Sequence, residues 1–324
     1  MHSPMRIGIV GTGGIARAHA PAWRRDGIEL HAFSVDGGEE FARQTGARLH
    51  RSLDDLLGAV DVVDICTPTP AHPEVVRAAL AAGRDVICEK PLARTTAQAQ
   101  ELADLAAHAG RRLLPAHVVR WFAPYAAAQQ AIADGRIGTP AVLRFERTGT
   151  LPRQPWFRDL EASGGIVMDQ MIHDLDQALW IAGPAASVYG VESIAEGEAS
   201  IRTAHVVLEH RSGAISHCRG LWGPDGTAFR YTFSLAGDRG RLEYDSAQGD
   251  GVAFDEVASS GGGDAGYIPS FSPGQDPYTA QLTDLLEAIR TGAEARVDAA
   301  AGVEVVRIAE LALASIAEGR RIPC

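Results

Sequence analysis

The feature that most constrains this chain is a glycine-rich turn between a short apolar run and a helix near the N-terminus. The run Arg6–Val10 leads directly into the segment GTGGIA at positions 11–16, which has the spacing G-x-G-x-x-A. The first glycine of that pattern makes a tight turn, the second lets the backbone approach a pyrophosphate, and the alanine lets the helix pack close to the sheet. Free N–H groups at the helix start then favour bound phosphate. The motif therefore predicts a dinucleotide-binding turn.

The first 121 residues alternate short β-rich runs with helical stretches, which is typical of a parallel, doubly wound sheet. The predicted strands are Arg6–Val10, Glu29–Val35, a short one near Arg48, Val60–Cys66, Arg84–Cys88 and Arg112–Ala116. The predicted helices are Gly14–Arg25, Glu39–Thr45, Pro73–Ala82 and Thr96–His108. We therefore assign residues 1–121 to a Rossmann domain.

After Trp121 the pattern changes to strands that follow one another without helices between them, which indicates a largely antiparallel sheet. The predicted elements are a helix at Tyr125–Asp134, a strand at Ala141–Thr148, a long helix at Gly165–Ala182, strands at Ala186–Ile194, Arg202–Glu209, Ile215–Leu221 and Arg230–Leu235, a glycine-rich loop at Ser259–Gly266, and closing helices at Pro277–Arg290 and Ala301–Glu318. Residues 122–324 are thus predicted to form an α+β domain, and the fold class of the chain is α/β.

Charge and hydropathy exclude two classes of partner. The chain has 30 Lys and Arg against 41 Asp and Glu, a formal net charge of −11. Nucleic acid would meet net repulsion, so we expect no nucleic-acid partner. The apolar run Ile7–Val10 is too short for the core of a signal peptide, and no apolar stretch has the length of a membrane helix. We expect no membrane association and a cytoplasmic location.

The cysteines give no sign of a metal site. Cys66, Cys88, Cys218 and Cys324 include no C-x-x-C pair, and no histidine stands at zinc-ligand spacing from them. We predict reduced thiols and no bound metal.

The end of the second strand bears on the choice of nicotinamide cofactor. Asp36 lies twenty residues beyond Ala16, which is the spacing of a carboxylate that accepts from the ribose 2′-OH and repels a 2′-phosphate. If instead Val35 occupies the reading position, Ser34 and the backbone leave room for either cofactor. No Arg or Lys follows the strand directly, so the sequence favours NAD over NADP.

Two further groups of residues could carry chemistry. Lys90 follows the fifth strand in the segment Glu89-Lys90-Pro91, at the end of the strand that faces the ligand crevice in such sheets. Taken alone it could be an ordinary surface lysine, although most cations of this chain are arginine. Asp169 and His173 lie one turn apart in the predicted long helix, where a carboxylate would orient an imidazole and raise its basicity. A solvated polar helix face would have the same spacing.

Taken together, these motifs resemble the Gfo/Idh/MocA family of oxidoreductases. The resemblance rests on the turn at 11–16, the segment TPTPAH at 67–72, Glu89-Lys90-Pro91, and Gly164-Gly165 followed by Asp169 and His173. It spans almost the whole chain and implies that the second domain has an open sheet that binds substrate and mediates oligomerisation, as a homodimer or homotetramer. It also implies reversible hydride transfer between a nicotinamide and a carbinol carbon of a sugar, cyclitol or related polyol.

The resemblance implies roles for individual residues. Lys90 matches a catalytic lysine that binds the reacting hydroxyl, His173 a general acid/base, and Asp169 a carboxylate that positions both substrate and histidine. The cofactor-binding residues predicted from the turn, the second strand and the resemblance together are Gly11, Thr12, Gly13, Gly14, Ile15, Ser34, Asp36, Thr67, Pro68, His72, Glu89 and Lys90. The predicted substrate-binding residues are Arg120, Trp156, Asp169 and His173, of which Trp156 could equally be a core or lid residue.

Two other functions remain open at this point. Some members of the family use retained NAD to cleave glycosidic bonds with no net redox change, and this scaffold has also been reused for non-catalytic sensing. A sensor would be expected to lose the lysine or the histidine, whereas Lys90 and His173 are both present.

Overall fold

The computed structural model describes residues 4–195, 201–247 and 276–324, so the predicted loop Ser259–Gly266 lies outside the described residues. The chain divides into two compact units. Unit 1 consists of the described residues of Met1–Trp121 and Pro273–Val306, and unit 2 of those of Phe122–Ser272 and Arg307–Cys324. Each unit is treated by itself below.

Unit 1 contains a six-stranded parallel sheet with the order β3-β2-β1-β4-β5-β6, as a doubly wound fold requires. Its strands are β1 (Met5–Val10), β2 (Ile28–Phe33), β3 (Arg48–Leu49), β4 (Val62–Ile65), β5 (Asp85–Glu89) and β6 (Leu113–Ala116). Its first five helices are α1 (Gly14–Trp23), α2 (Gly38–Thr45), α3 (Leu53–Ala59), α4 (His72–Ala81) and α5 (Thr96–Ala109). The predicted parallel sheet is confirmed, and α3, which begins at the N-cap Ser52, is an addition to it.

Unit 1 also includes a late segment of the chain, which corrects the assignment of residues 122–324 to a single domain. The helix α10 (Pro277–Thr291) and the start of α11 (Ala299–Glu318) belong to unit 1 up to Val306. The reason is hydrophobic burial, since Leu282, Leu285 and Leu286 share one core cluster with Ile7 and Ile9 of β1. Sequence order alone does not reveal this contact.

Unit 2 contains a seven-stranded mixed sheet with the order β12-β11-β7-β10-β9-β8-β13. The strands are β7 (Pro140–Thr150), β8 (Ala185–Ala195), β9 (Ile201–His210), β10 (Ile215–Gly223), β11 (Arg230–Gly237), β12 (Gly240–Asp245) and β13 (Ile322–Pro323). All neighbours pair antiparallel except β7 and β10. The predicted largely antiparallel sheet is therefore confirmed, while the two edge strands β12 and β13 were not predicted.

The helices of unit 2 are α6 (Ala123–Ala133), α7 (Leu160–Ser163), α8 (Gly165–Asp169), α9 (Ile172–Ala182) and the end of α11. The single long helix predicted over Gly165–Ala182 is wrong, because it is broken between Asp169 and Ile172. At the break the N–H groups of Gln170 and Met171 both donate to the carbonyl of Ile166. The consequence is that Asp169 and His173 do not lie on one regular helix.

Among the described residues, no helix is long and apolar enough to cross a membrane. The thiols of Cys66, Cys88 and Cys218 are buried and that of Cys324 is partly exposed, and all four cysteines are free.

Candidate functional site

The glycine turn has the geometry that the sequence predicts for a phosphate-binding loop. Gly11 has a φ of +93°, and a Cβ there would lie 2.8 Å from the carbonyl oxygen of Cys66, so only glycine fits without strain. A Cβ on Gly13 would have no heavy atom within 4 Å, so the space beside this residue is open. Gly13 is the N-cap of α1, no side chain caps the helix, and its first turn has no acidic residue. The first N–H groups of α1 thus meet no competing anion, which suits a pyrophosphate.

The loop after β2 is shaped by two hydroxyl groups. The side chains of Thr12 and Ser34 both donate to the carbonyl oxygen of Asp36, at 2.9 Å and 2.7 Å. Because β2 ends at Phe33, both candidates for the ribose-reading position lie beyond the strand. Val35 is 89% exposed and Asp36 is exposed as well, so the Asp36 carboxylate is available to a ligand.

His72 joins the loops that follow β4 and β5. Its Nδ1 lies 2.9 Å from the carbonyl oxygen of Pro91, and its Nε2 lies 2.9 Å from that of Thr67. Burial lowers the pKa of the imidazole, and the two carbonyl groups oppose that shift only in part. Both ring nitrogens of His72 are thus engaged with the backbone, so this predicted cofactor residue fixes the positions of its neighbours in the two loops.

Lys90 stands directly after β5, at the carboxyl edge of the sheet that also carries the glycine turn after β1. It is the only lysine in the 324 residues. Its peptide bond to Pro91 is cis, and its backbone N–H donates to Oε2 of Glu89 at 3.0 Å. Glu89 is buried and Lys90 is partly exposed. The buried carboxylate therefore anchors the backbone of the residue that presents the amine.

A buried polar network behind this edge was missed in the sequence analysis. Nδ1 of His19 in α1 lies 3.0 Å and 3.1 Å from the two carboxylate oxygens of Asp64 in β4. Trp23 Nε1 donates to Asp64 at 2.7 Å, and Cys66 Sγ lies 3.4 Å from His19 Nδ1. An aspartate inside the apolar strand β4 was the available signal, because a buried carboxylate needs partners.

His19, Asp64 and Cys66 offer donor atoms that lie within 4.8 Å of one another, as in a metal site. The carboxylate of Asp64 nevertheless has partners without an ion, since Trp23 donates to it and His19 Nδ1 lies within hydrogen-bond distance of it. Burial raises the pKa of the Cys66 thiol to about 12, which favours the neutral thiol within this network. We therefore assign the cluster as a hydrogen-bonded ion network.

In unit 2 the structure places Asp169 at the end of α8 and His173 in the first turn of α9. The paired glycines Gly164 and Gly165 both have positive φ values, 72° and 63°, and mark the passage from α7 to α8. A Cβ on Gly220 of β10 would lie 2.5 Å from Cγ of Met171, the residue at the break. The glycine in the sheet thus makes room for the side chain at the break, next to the start of α9.

A second buried ion network lies beside His173. The guanidinium of Arg147 in β7 donates to both oxygens of Asp174, at 2.8 Å and 3.2 Å, and both side chains are fully buried. Nη2 of Arg147 also lies 3.3 Å from the hydroxyl of Tyr125, and Gln170 Nε2 donates to the Arg147 carbonyl at 2.8 Å. Asp174 and its network therefore tie α9 to the sheet of unit 2.

The two remaining predicted substrate residues lie in different units. Arg120 is buried in unit 1, where its Nη1 donates to the carbonyl of Arg296 at 2.6 Å while Arg296 Nη1 donates back to the Arg120 carbonyl at 3.1 Å. Trp156 lies in a short 3-10 turn of unit 2, and its ring packs on that of Phe157 with centroids 3.9 Å apart. Arg120 thus holds the segment that follows α10.

Comparison with known proteins identifies the family of the chain. A family described as oxidoreductases with an NAD-binding Rossmann fold matches residues 5–117, and the GFO/IDH/MocA C-terminal domain matches residues 125–243. The chain belongs to the Gfo/Idh/MocA family of oxidoreductases. The resemblance found in the sequence is confirmed, and so is the prediction of a dehydrogenase-class enzyme with an NAD-binding Rossmann domain.

Individual relatives cover most or part of the chain. It is 28% identical over 339 residues to a myo-inositol 2-dehydrogenase of Thermotoga maritima, covering 98% of each chain. It is 35% identical over 195 residues to a 1,5-anhydro-D-fructose reductase of Ensifer adhaerens, covering 56% of this chain and 59% of that protein. The solved structure of GenD2 from gentamicin A biosynthesis, in complex with NAD, superposes with a TM-score of 0.86 at 26% identity and covers 100% of this chain and 97% of GenD2.

Proposed function

We propose that this protein transfers a hydride between a carbinol carbon of a sugar, cyclitol or related polyol and C4 of a nicotinamide. The observation that carries the proposal is the place of Lys90, directly after β5 at the carboxyl edge where the glycine turn follows β1. Ligands of doubly wound sheets bind outside this edge. The relatives named for inositol and anhydrofructose support a substrate of the polyol class.

The proposed chemistry divides between two side chains. A hydride leaves more readily from a carbon that bears a partial alkoxide than from a neutral alcohol. A cation beside the oxygen and a base for the hydroxyl proton are therefore needed. Lys90 is proposed as the cation, and His173 as the base that takes the proton and returns it in the reverse direction. Asp169 is proposed to orient His173 and the substrate.

The residues of unit 1 fit a dinucleotide. The open space at Gly13 and the uncapped start of α1 suit the pyrophosphate, and the exposed Asp36 suits a ribose hydroxyl. When bound, the nicotinamide would supply the redox capacity. We propose NAD rather than NADP, because a carboxylate at this position repels a 2′-phosphate and no Lys or Arg follows β2 directly.

The test of reaction class is the near-ultraviolet absorbance of reduced nicotinamide, recorded with the purified protein, NAD or NADP, and a panel of inositols, aldoses, amino sugars and anhydrosugars. Growth of the band with NAD and a polyol is the expected result. No growth across the panel, together with release of an aglycone from a glycoside, would instead support the redox-neutral glycosidase. Nucleotide binding with neither reaction would support a sensor.

The test of the residues is a pair of substitutions with a matched control. Lys90→Ala and His173→Ala should each lower kcat by a factor of about 10² to 10⁴, the range that positioned acid–base groups contribute, with nucleotide binding close to normal. His108→Ala is the control, because His108 is an exposed histidine at the end of α5. An unchanged kcat in either of the two site variants would contradict the assigned role.

A further inference from the structure

His19 lies between two carboxylates that come from neighbouring strands. Its Nδ1 contacts Asp64 of β4 at 3.0 Å, and its Nε2 lies 3.2 Å from Oε1 of Glu89, the last residue of β5. The second contact is an ion pair by distance, without the alignment of a hydrogen bond. His19 is fully buried and Glu89 is only 6% exposed.

The carboxylate of Asp64 favours the charged form of the imidazole. Burial alone would lower the pKa of His19, but the Asp64 carboxylate, which also lies within hydrogen-bond distance of the ring, opposes this effect, and the net shift is well upward. A ring that faces a carboxylate with each nitrogen is most stable with a proton on both nitrogens. The charged form of His19 is therefore favoured, with one ring nitrogen facing Asp64 and the other facing Glu89.

Glu89 divides its two oxygens between His19 and Lys90. Oε1 faces the imidazolium, while Oε2 accepts the backbone N–H of Lys90 at 3.0 Å. A buried carboxylate without a cation close by is poorly solvated and tends to rotate toward solvent, which breaks the hydrogen bonds that its oxygens accept. The charge of His19 therefore bears directly on the hydrogen bond that anchors Lys90.

We propose that His19 is a positioning residue for Lys90, acting through Glu89, whose carboxylate it holds oriented toward the Lys90 backbone. This inference deepens the proposed function and rests on it, because Lys90 is there the group that activates the hydroxyl. His19 touches neither the substrate nor the amine in this scheme. Its contribution is the geometry of the loop that presents the amine.

The single lysine of the chain makes this contact directly observable. In deuterated protein whose lysine alone carries the heavy nitrogen isotope, a TROSY spectrum contains one backbone amide peak, and it belongs to Lys90. A charge-assisted hydrogen bond moves the peak downfield and slows its exchange with solvent. The measurement uses the free protein and needs no substrate.

His19→Gln should move this peak upfield and speed its exchange by about tenfold or more, as the loss of a hydrogen bond to a charged acceptor predicts. Glu89→Gln should have a similar effect. Once Glu89 is changed, His19→Gln should add little, because the two residues act in series. His31→Gln is the matched control, since it removes another buried histidine of unit 1, in β2. It should leave the Lys90 peak in place.

An unchanged peak and exchange rate in His19→Gln would overturn the proposal. So would a double variant in which the two effects simply add. If His19→Gln does not fold, Asp64→Asn replaces it, because this variant keeps the imidazole and removes the carboxylate that favours its charge. We then expect a smaller shift of the Lys90 peak in the same direction. The absence of a shift would again overturn the proposal. Failure of the proposed function would appear separately, as an unchanged kcat in Lys90→Ala with these amide results intact.

Discussion

The two units each contain one buried ion network, and each network includes the residue next in sequence to a proposed catalytic side chain. In unit 1, His19 lies between Asp64 and Glu89, and Glu89 precedes Lys90. In unit 2, Arg147 pairs with Asp174, which follows His173. Both arrangements bury a charged pair next to a proposed catalytic side chain.

The networks differ in their cation. An imidazolium can lose its proton in the range where enzymes work, whereas a guanidinium stays charged. Asp174 has two aligned hydrogen bonds from Arg147, while the His19 contact to Glu89 is an ion pair without such alignment. The network of unit 2 is therefore a permanent tie between a strand and a helix, and that of unit 1 depends on a proton.

The largest effect on stability is expected when the buried ion pair between Arg147 and Asp174 is removed. Arg147→Met leaves Asp174 buried without its cation, and should lower the free energy of unfolding by about 3 to 5 kcal/mol, measured by urea denaturation. Arg219→Met is the matched control, because Arg219 pairs with Glu146 on the surface, where the two side chains are 39% and 40% exposed. It should cost about 0 to 1 kcal/mol. Equal losses in the two variants would contradict the distinction between buried and surface pairs.

Intermediate losses of stability are expected for substitutions at two glycines, one near each network. Gly220→Ala places a Cβ 2.5 Å from Cγ of Met171 and should cost about 1 to 3 kcal/mol of unfolding free energy by overpacking. Met171→Ala in the same chain should recover part of that loss. Gly11→Ala meets the backbone of Cys66 and has a positive φ, so no side-chain truncation should recover it. If Met171→Ala restores no stability to Gly220→Ala, the two glycine positions do not differ in this way.

The smallest effect is the pH dependence of the His19 network. Its contribution to stability is complete below the ordinary imidazole pKa of 6.5 and is lost as pH rises through the raised folded-state pKa. The groups that face His19 are Asp64, Cys66, Glu89 and, from α10, the ring of Tyr278.

The measurement is the difference in unfolding free energy between the unchanged protein and His19→Gln, followed over pH. It should shrink above pH 6.5, by at most about 1.4 kcal/mol per pH unit. The corresponding difference for Arg147→Met should stay constant in the same range, because Arg147 does not titrate there. If the difference in unfolding free energy between the unchanged protein and His19→Gln is also constant over pH, the charge of the imidazole does not contribute to stability.

Much of the fold could be predicted, because apolar runs and turn residues are local signals. All six strands of the parallel sheet and the five longer strands of unit 2 follow from them. The edge strand β12 was missed, because its sequence GRLEYD offers only two apolar residues, Leu242 and Tyr244, between charged ones. Met171, at the break after Asp169, lies against Gly220 in a distant strand, and no local pattern contains that contact.

For the candidate site, too, local motifs could be predicted from the sequence and contacts between distant residues could not. The glycine turn, Lys90 and the pair Asp169 and His173 belong to short motifs, so the sequence alone identifies them. The partners that hold them are far away in sequence, as with His19 and Asp64, which are 45 positions apart. A histidine in a helix and an aspartate in a strand become a network only when the sheet has formed.

The late helix α10 has a consequence for how the protein is made. Leu282, Leu285 and Leu286 complete the core around β1, so the strands of unit 1 leave the ribosome well before the residues that cover them. Until α10 is synthesised, a nascent chain exposes part of this apolar surface, which is the condition under which chaperones bind and early folding stalls. Translation of the last helices, rather than of the nucleotide-binding segment itself, then sets the moment at which unit 1 becomes complete.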